Sequence, residues 1–179
     1  MTLNLGCGAN KITGAVNLDI DAKMKPDIIG NVYSLPFPDD SVDKVLLFHT
    51  IEHVRESEHR TLLSELRRVL KIGATLLVSY PEFVVCAKYF TENYLGMREF
   101  WKKTIYGRQA SFGDYHIALM YTPSFLQLLR ESGFCELEHH PEPEKGQQCY
   151  TVVRAKKMAK KPLDRAELYK KFIFNDATL

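Results

Sequence analysis

Apolar residues along the first eighty positions fall into short runs separated by polar or glycine-rich connections. The runs at residues 3–5 and 15–18 are brief, whereas residues 44–48 (KVLLF) and 74–80 (ATLLVSY) are mostly apolar throughout. Such runs are typical of strands buried on both faces of a parallel sheet. We therefore predict an α/β fold that begins with a strand, a turn and a second strand.

Helical periodicity replaces the strand pattern in two places. Between residues 58 and 71, leucines and a valine recur at helical spacing opposite charged residues, and Gly73 marks the predicted helix end. A second helix is predicted from Thr122 as N-cap, with Pro123 at its first position, to a stop at Gly133. The last two strands are predicted over residues 135–140 and 149–155.

The composition indicates one globular domain. The chain has 179 residues, of which 45% are hydrophobic and 26% charged, enough to bury a core. A net charge of +2 gives no electrostatic argument for nucleic acid or a membrane surface, and no apolar run approaches the ~20 residues of a membrane span. We expect a cytoplasmic protein. The four cysteines are far apart and predict neither a zinc site nor a disulfide framework.

A glycine turn at residues 6–8 (GCG) breaks the first apolar run, and Asp19 ends the second. In α/β proteins, glycines at such a turn let the backbone approach a nucleotide, and an acid at the tip of the next strand accepts hydrogen bonds from ribose. The residues between Gly8 and Asp19 are too few to leave much room for a helix. The turn therefore predicts a nucleotide-type site with an unusually short first crossover.

His49, Glu52 and His53 directly follow the predicted strand at 44–48. Residues at the carboxyl end of a parallel strand border the ligand site in this class of fold. Two histidines and a glutamate also fit metal chemistry, but no further ligand occurs at a usable spacing. We predict roles in lining the cofactor or capping a helix, and no metal site.

Several stretches, taken in order, resemble the motifs of class I S-adenosylmethionine (SAM)-dependent methyltransferases: LNLGCGAN, VNLDID, LPFPDDSVD, HTIEHV and RVLKIGATLLV. More narrowly, the chain resembles a short bacterial branch associated with glycan or lipopolysaccharide gene clusters. The resemblance implies a Rossmann-like, mostly parallel seven-stranded sheet with an antiparallel end strand and a shortened or absent first crossover helix. It implies a domain over residues 1–156, an acceptor-side insertion or lid at about 81–121, and a basic, helical tail at 157–179.

The resemblance also implies the cofactor, SAM, with S-adenosyl-L-homocysteine as product. In this family the glycine loop wraps the methionine part of SAM, and the acid after the second strand holds the ribose. Asn31 stands in place of an acid beside the adenine, but its carbonyl can still accept from the adenine amino group. The implied cofactor-binding residues are Asn4, Gly6, Cys7, Gly8, Asp19, Ile20, Asn31, Val32 and His49.

Acceptor binding is expected from the aromatic-rich stretch that follows residue 80. Its aromatic side chains suit stacking on a sugar face, or alternatively a small satellite core under a helical lid. His116, in a loop that resembles the family's Y-G-G-Q … H arrangement, is the candidate catalytic base because an unperturbed histidine titrates near working pH; a structural role is the alternative. The predicted acceptor-binding residues are Glu52, Tyr80, Glu82, Tyr106 and Gln109.

The function implied is methyl transfer from SAM to a small-molecule or glycan-type acceptor by direct in-line displacement. Two alternatives stay open: a methyltransferase-like module that binds a ligand or partner without catalysis, and an RNA or protein methyltransferase that uses the basic C-terminal region. Nucleic-acid and membrane partners are not expected, and the chain could form a homodimer.

Overall fold

A seven-stranded sheet forms the centre of the protein, whose computed structural model describes residues 1–93, 98–109, 113–142 and 150–160. The strands are β1 Thr2–Leu5, β2 Val16–Asp19, β3 Ile28–Ile29, β4 Val42–Phe48, β5 Leu70–Pro81, β6 Phe134–Glu142 and β7 Tyr150–Lys157. They lie in the order β3-β2-β1-β4-β5-β7-β6. Strands β1 to β5 pair in parallel, and β7 runs antiparallel to both β5 and β6. This arrangement confirms the predicted fold class.

Four α-helices accompany the sheet within the described residues: α1 His59–Val69, α2 Phe83–Asn93, α3 Arg98–Tyr106 and α4 Thr122–Glu131. Short 3-10 turns cover Ala22–Met24, Ile51–His53 and Glu56–Glu58. No helix occurs between β1 and β2, all of whose connecting residues are described, so the predicted loss of the first crossover helix is confirmed. None of the described helices is long and apolar enough to cross a membrane.

Among the element boundaries that differ from the sequence prediction, three affect how the elements meet. The first helix ends at Val69, and β5 begins at once with Leu70, which pairs with Val42 of β4. Gly73, at φ +76°, lies in the irregular stretch where the β4–β5 register shifts and does not end the helix. Strand β7 extends through Lys157, whose buried ammonium donates to Asp40 Oδ1 and to the Leu70 carbonyl. The buried strand therefore extends one residue into the predicted tail, and residues 161–179 lie outside the described part of the chain.

The third boundary concerns α4, which begins at Thr122 itself, with Tyr121 as the N-cap residue. Glu82 explains the difference, because its Oε1 accepts the Thr122 amide at 3.2 Å while its Oε2 accepts the Val85 amide at 2.9 Å. One buried carboxylate thus caps the first turns of both α4 and α2. Thr122 instead uses its hydroxyl to contact the hydroxyl of Tyr80 at 3.2 Å.

The two faces of the sheet are covered unequally. Leu3, Val45 and Leu76 are register neighbours on one face and are fully buried. On the opposite face, Phe48 and Leu77 remain partly exposed, although their register partners Ser79 and Leu46 are buried. Since successive residues of a strand point to opposite faces, this alternation means that the main hydrophobic core lies on one side of the sheet.

A network centred on α1 fixes the loop between β3 and β4. Glu65 accepts the Leu35 amide at 2.6 Å and two hydrogen bonds from Arg68, at 2.7 and 2.8 Å. Arg68 also donates to the carbonyls of Leu35 and Phe37. Two side chains of one helix therefore set the backbone path of the loop predicted to border the adenine.

We expect Glu82→Ala to lower the free energy of unfolding by about 2–4 kcal/mol, because the first turns of two helices lose their charged acceptor. Glu82→Gln, which keeps one acceptor oxygen, should lose less. Urea unfolding followed by circular dichroism measures both losses. An alanine variant as stable as the wild type would contradict the capping role.

Glu65 should make stability depend on pH below neutrality. Its hydrogen bonds from Arg68 and Leu35 hold the pKa of this carboxyl below its ordinary value of 4.5. The stabilisation is therefore complete above that value and is lost as the pH falls through the lowered pKa. We expect Glu65→Gln to be less stable than the wild type at pH 7 and the difference to shrink by pH 3, measured by urea unfolding. Glu56→Gln, at an exposed position, is the control and should match the wild type at both pH values.

Candidate active site

One cavity of about 960 Å³ opens at the carboxyl ends of β1, β4 and β5. Its walls come from the loop after β1, the 3-10 turn after β4, the end of β5, the facing side of α3, and β7. In an open α/β sheet this edge is where ligands bind. The volume lies within the range of small-molecule and cofactor sites.

The glycine turn brings bare backbone to the cavity. Gly6 has φ +63°, and a Cβ at this position would lie 2.5 Å from side-chain atoms of Thr50. Gly8 has φ +49°, and a Cβ there would meet no atom within 4 Å. Gly6 is thus required by close packing, whereas Gly8 leaves a cradle open toward a ligand. Between them, the buried Cys7 thiol has a pKa raised chiefly by burial, which fits packing and not redox chemistry.

Two asparagine side chains hold the glycine loop in place of a helix. Asn4 Nδ2 donates to the Asn10 carbonyl at 3.0 Å and to Asn17 Oδ1 at 2.9 Å. Asn17 Oδ1 also accepts the Ile12 amide at 2.8 Å, and Asn17 Nδ2 donates to the Ile12 and Ala15 carbonyls. Side-chain amides therefore satisfy backbone groups that a helix would have paired internally.

Asp19 ends β2 directly beside the glycine loop. Its Oδ2 accepts the Gly8 amide at 2.7 Å, and its Oδ1 accepts the Asp21 amide at 2.9 Å. A carboxylate has about four lone-pair sites, so these two bonds orient the group and leave capacity for a ligand diol. Ile20, next along the chain, exposes 73% of its surface, which places an apolar side chain at the tip of β2.

The opposite wall carries three histidines and a glutamate. His49 Nδ1 lies 3.2 Å from Glu52 Oε1, and the rings of His53 and His116 meet edge to face, 4.9 Å apart between centroids. Burial is the main cause that lowers the pKa of His116 below its ordinary value. His116 Nδ1 lies 2.9 Å from the Thr104 carbonyl; since a carbonyl only accepts, Nδ1 carries the proton, and the neutral ring keeps an unshared lone pair on Nε2.

The cavity brings together seven of the predicted site residues, drawn from three separate stretches of chain. They are Asn4, Gly6, Cys7, Gly8, His49, Glu52 and His116. Asp19 joins this group through its bond to Gly8. Ile20, Asn31 and Val32 do not line the cavity. The amide of Gly30, which precedes Asn31, donates to the Asp19 carbonyl. Asn31 Oδ1 accepts the Tyr33 amide.

Four predicted acceptor-binding residues lie elsewhere. Tyr80 is fully buried and contacts Thr122, and Glu82 caps two helices, so both side chains are used inside the core. Tyr106 is 59% exposed and Gln109 is also exposed, and neither lines the cavity. We therefore correct the prediction for Tyr80 and Glu82 to a structural role.

Sequence reasoning missed the pairing of His53 with His116 and several further residues of the histidine-bearing wall. Both histidines have predicted roles, but they are distant in sequence and no spacing links the two. Lys103 and Thr104 enter from α3, and Tyr150 from β7 places its ring 4.4 Å from that of His49. Only the folded topology reveals that these residues share one cavity.

Comparisons with known proteins agree with this geometry. Residues 3–78 match the family profile described as "Methyltransferase domain". A probable S-adenosylmethionine-dependent methyltransferase of Mycolicibacterium smegmatis is 30% identical over 105 residues, which cover 59% of this chain and 33% of that protein. The chain thus spans about a third of the length of this curated relative.

Solved structures share the fold. A SAM-dependent methyltransferase of Methanosarcina mazei superposes with a TM-score of 0.65 at 21% identity, covering 89% of this chain and 92% of that one. A second SAM-dependent methyltransferase, from Thermotoga maritima and described as a "possible histamine N-methyltransferase", superposes with a TM-score of 0.60 at 22% identity. This match covers 87% of this chain and 81% of that one. The fold is that of these methyltransferases, and SAM is the cofactor that those proteins are named for. The open cradle at Gly8 and the oriented carboxylate of Asp19 fit that cofactor.

We expect Gly6→Ala to weaken SAM binding by at least about tenfold, because the added methyl group displaces Thr50 or the loop. Gly14→Ala is the matched control, since Gly14 also has a positive φ but would place its Cβ in open space. Calorimetric titration with SAM, beside urea unfolding of each variant, separates loop displacement from general strain. Equal affinities for the two variants would contradict this account of the turn.

Proposed function

We propose that this chain transfers a methyl group from SAM to a small-molecule or glycan-type acceptor. The observation that carries the proposal is a single cavity that joins the glycine cradle to the histidine-rich wall. The cradle suits the donor, and the wall supplies polar groups for an acceptor. A donor and an acceptor held in one space can meet in line, which is the main requirement of this reaction.

The cavity residues have two kinds of role in this proposal: some bind the cofactor, and one accepts a proton. Bound SAM supplies an activated methyl group on its sulfonium. Backbone at Gly6 and Gly8 makes room for the cofactor, and Asp19 accepts hydrogen bonds from the ribose hydroxyls. Burial lowers the pKa of His116, which favours the neutral ring, and the Thr104 carbonyl holds its one proton on Nδ1. Nε2 then accepts the proton of an acceptor hydroxyl or amine as the new bond to carbon forms.

The groups around the cavity support this class of acceptor. Lys103 and Arg108 line it, and Arg108 keeps 76% of its side chain exposed despite lying 3.6 Å from Asp114. Two cations that line the same cavity as Tyr150 suit a sugar that carries phosphate or carboxylate, since the ring can stack on the sugar face and the cations can pair with the anion. The resemblance to methyltransferases of glycan gene clusters supports this choice.

Asp19 provides the direct test of the cofactor site. We expect Asp19→Asn to bind SAM about tenfold more weakly and Asp19→Ala about a hundredfold more weakly, because the variants lose one or both charge-assisted bonds to the ribose. The loss should be equal for SAM and S-adenosylhomocysteine, which share the ribose. Calorimetric titration measures both ligands.

Asp21→Asn, at the adjacent acid that caps a 3-10 turn, is the control and should bind like the wild type. A loss confined to SAM would mean that Asp19 acts on the sulfonium charge and not on the ribose. Release of S-adenosylhomocysteine with nucleotide sugars as acceptors tests turnover. Tight SAM binding without turnover on any tested acceptor would contradict the proposed methyl transfer and favour the alternative, a ligand-binding module without catalysis.

A further inference from the structure

Glu52, His53 and His116 meet at the acceptor-side wall of the cavity. One possible ligand atom from each residue lies within 4.8 Å of those of the other two. The backbone fixes this approach, because the amides of Ile117 and Ala118 both donate to the Glu52 carbonyl, at 2.9 and 3.1 Å. The three side chains are therefore held together before any ligand arrives.

Both histidines present the same free nitrogen. His53 Nδ1 lies 2.8 Å from the Tyr115 carbonyl, and His116 Nδ1 lies 2.9 Å from the Thr104 carbonyl. In the neutral ring each Nδ1 donates to its carbonyl, so each Nε2 keeps a lone pair. A ring that is oriented by an Nδ1–H bond to a carbonyl is how metal-binding histidines are usually held.

Glu52 supplies a second, independent observation. The residue is only 1% exposed, and its Oε2 is buried without a hydrogen-bond partner among the described residues. Its other oxygen faces His49 Nδ1 at 3.2 Å. An unpaired buried carboxylate oxygen is costly, and a cation bound beside it would remove that cost.

We infer that Glu52, His53 and His116 form a binding site for one divalent transition-metal ion, such as Zn²⁺, Co²⁺ or Fe²⁺. Two imidazoles and one carboxylate suit these ions, whereas Ca²⁺ and Mg²⁺ prefer oxygen ligands. All three residues line the cavity, so coordination positions not taken by protein face the space in which an acceptor would lie. The inference does not rest on the proposed methyl transfer.

Metal binding and the proton-accepting role proposed for His116 use the same Nε2 lone pair. With an ion bound, an acceptor hydroxyl at an open position would be acidified by coordination, as metal-bound water is. The activity of metal-free protein reports on whether His116 acts as the base, and it does not report on ion binding. The experiment therefore measures metal binding directly.

The test uses the purified full chain, free of any histidine tag, stripped with a chelator and titrated with Co²⁺ and Zn²⁺. We expect one equivalent to bind, with visible Co²⁺ absorption and a rise in melting temperature. Glu52→Gln, His53→Gln and His116→Gln should each weaken binding by about tenfold or more, and the His53→Gln/His116→Gln double variant should abolish it. His140→Gln, at an exposed position on β6, should bind like the wild type.

Glu52→Gln also separates a metal site from a merely structural cluster. Since this substitution removes a buried charge that has one unpaired oxygen, the metal-free variant should be at least as stable as the metal-free wild type, while it loses the metal-dependent rise in melting temperature. Circular dichroism confirms that each variant is folded. The inference is overturned if the wild type binds neither ion at about 1 mM, or if the folded double variant binds as tightly as the wild type.

Discussion

The hydrogen bonds of Asn17 are the constraint on which the glycine-turn side of the cavity depends. A crossover between two parallel strands normally pairs its own backbone in a helix, and this chain has none there. Asn17 instead accepts from the Asn4 side chain and the Ile12 amide, donates to two carbonyls, and contacts Asp27 through both its side chain and its amide. One buried amide group therefore holds both the glycine turn and the approach to Asp19 in place.

The histidine-bearing side of the cavity is held differently, by long-range backbone bonds. The Glu52 carbonyl receives two amides from the segment that follows His116, and the amide of His116 itself donates to the Tyr106 carbonyl at the end of α3. Glu82 adds a shared cap for α2 and α4. The cavity is consequently bounded on one side by local contacts near the N-terminus and on the other by contacts that join distant segments.

This division explains what the sequence could predict. The apolar runs that form strands, the missing helix and the cluster of Gly6, Gly8 and Asp19 follow from local patterns, because apolar runs and turn residues act over a few positions. Tyr80 and Glu82 were placed at the correct strand end but given the wrong role, since their side chains turn into the core to meet α4. The meeting of His53 with His116 could not be predicted, because it depends on how three helices return the chain to β4.

The partly exposed sheet face has a thermodynamic consequence. Phe48 and Leu77 already meet solvent in the folded protein, so unfolding exposes less new apolar surface there than in a domain whose sheet is covered on both faces. Both the heat-capacity change and the denaturant sensitivity of unfolding scale with newly exposed surface. The stability curve of this protein should accordingly be flatter with temperature than its chain length alone would suggest.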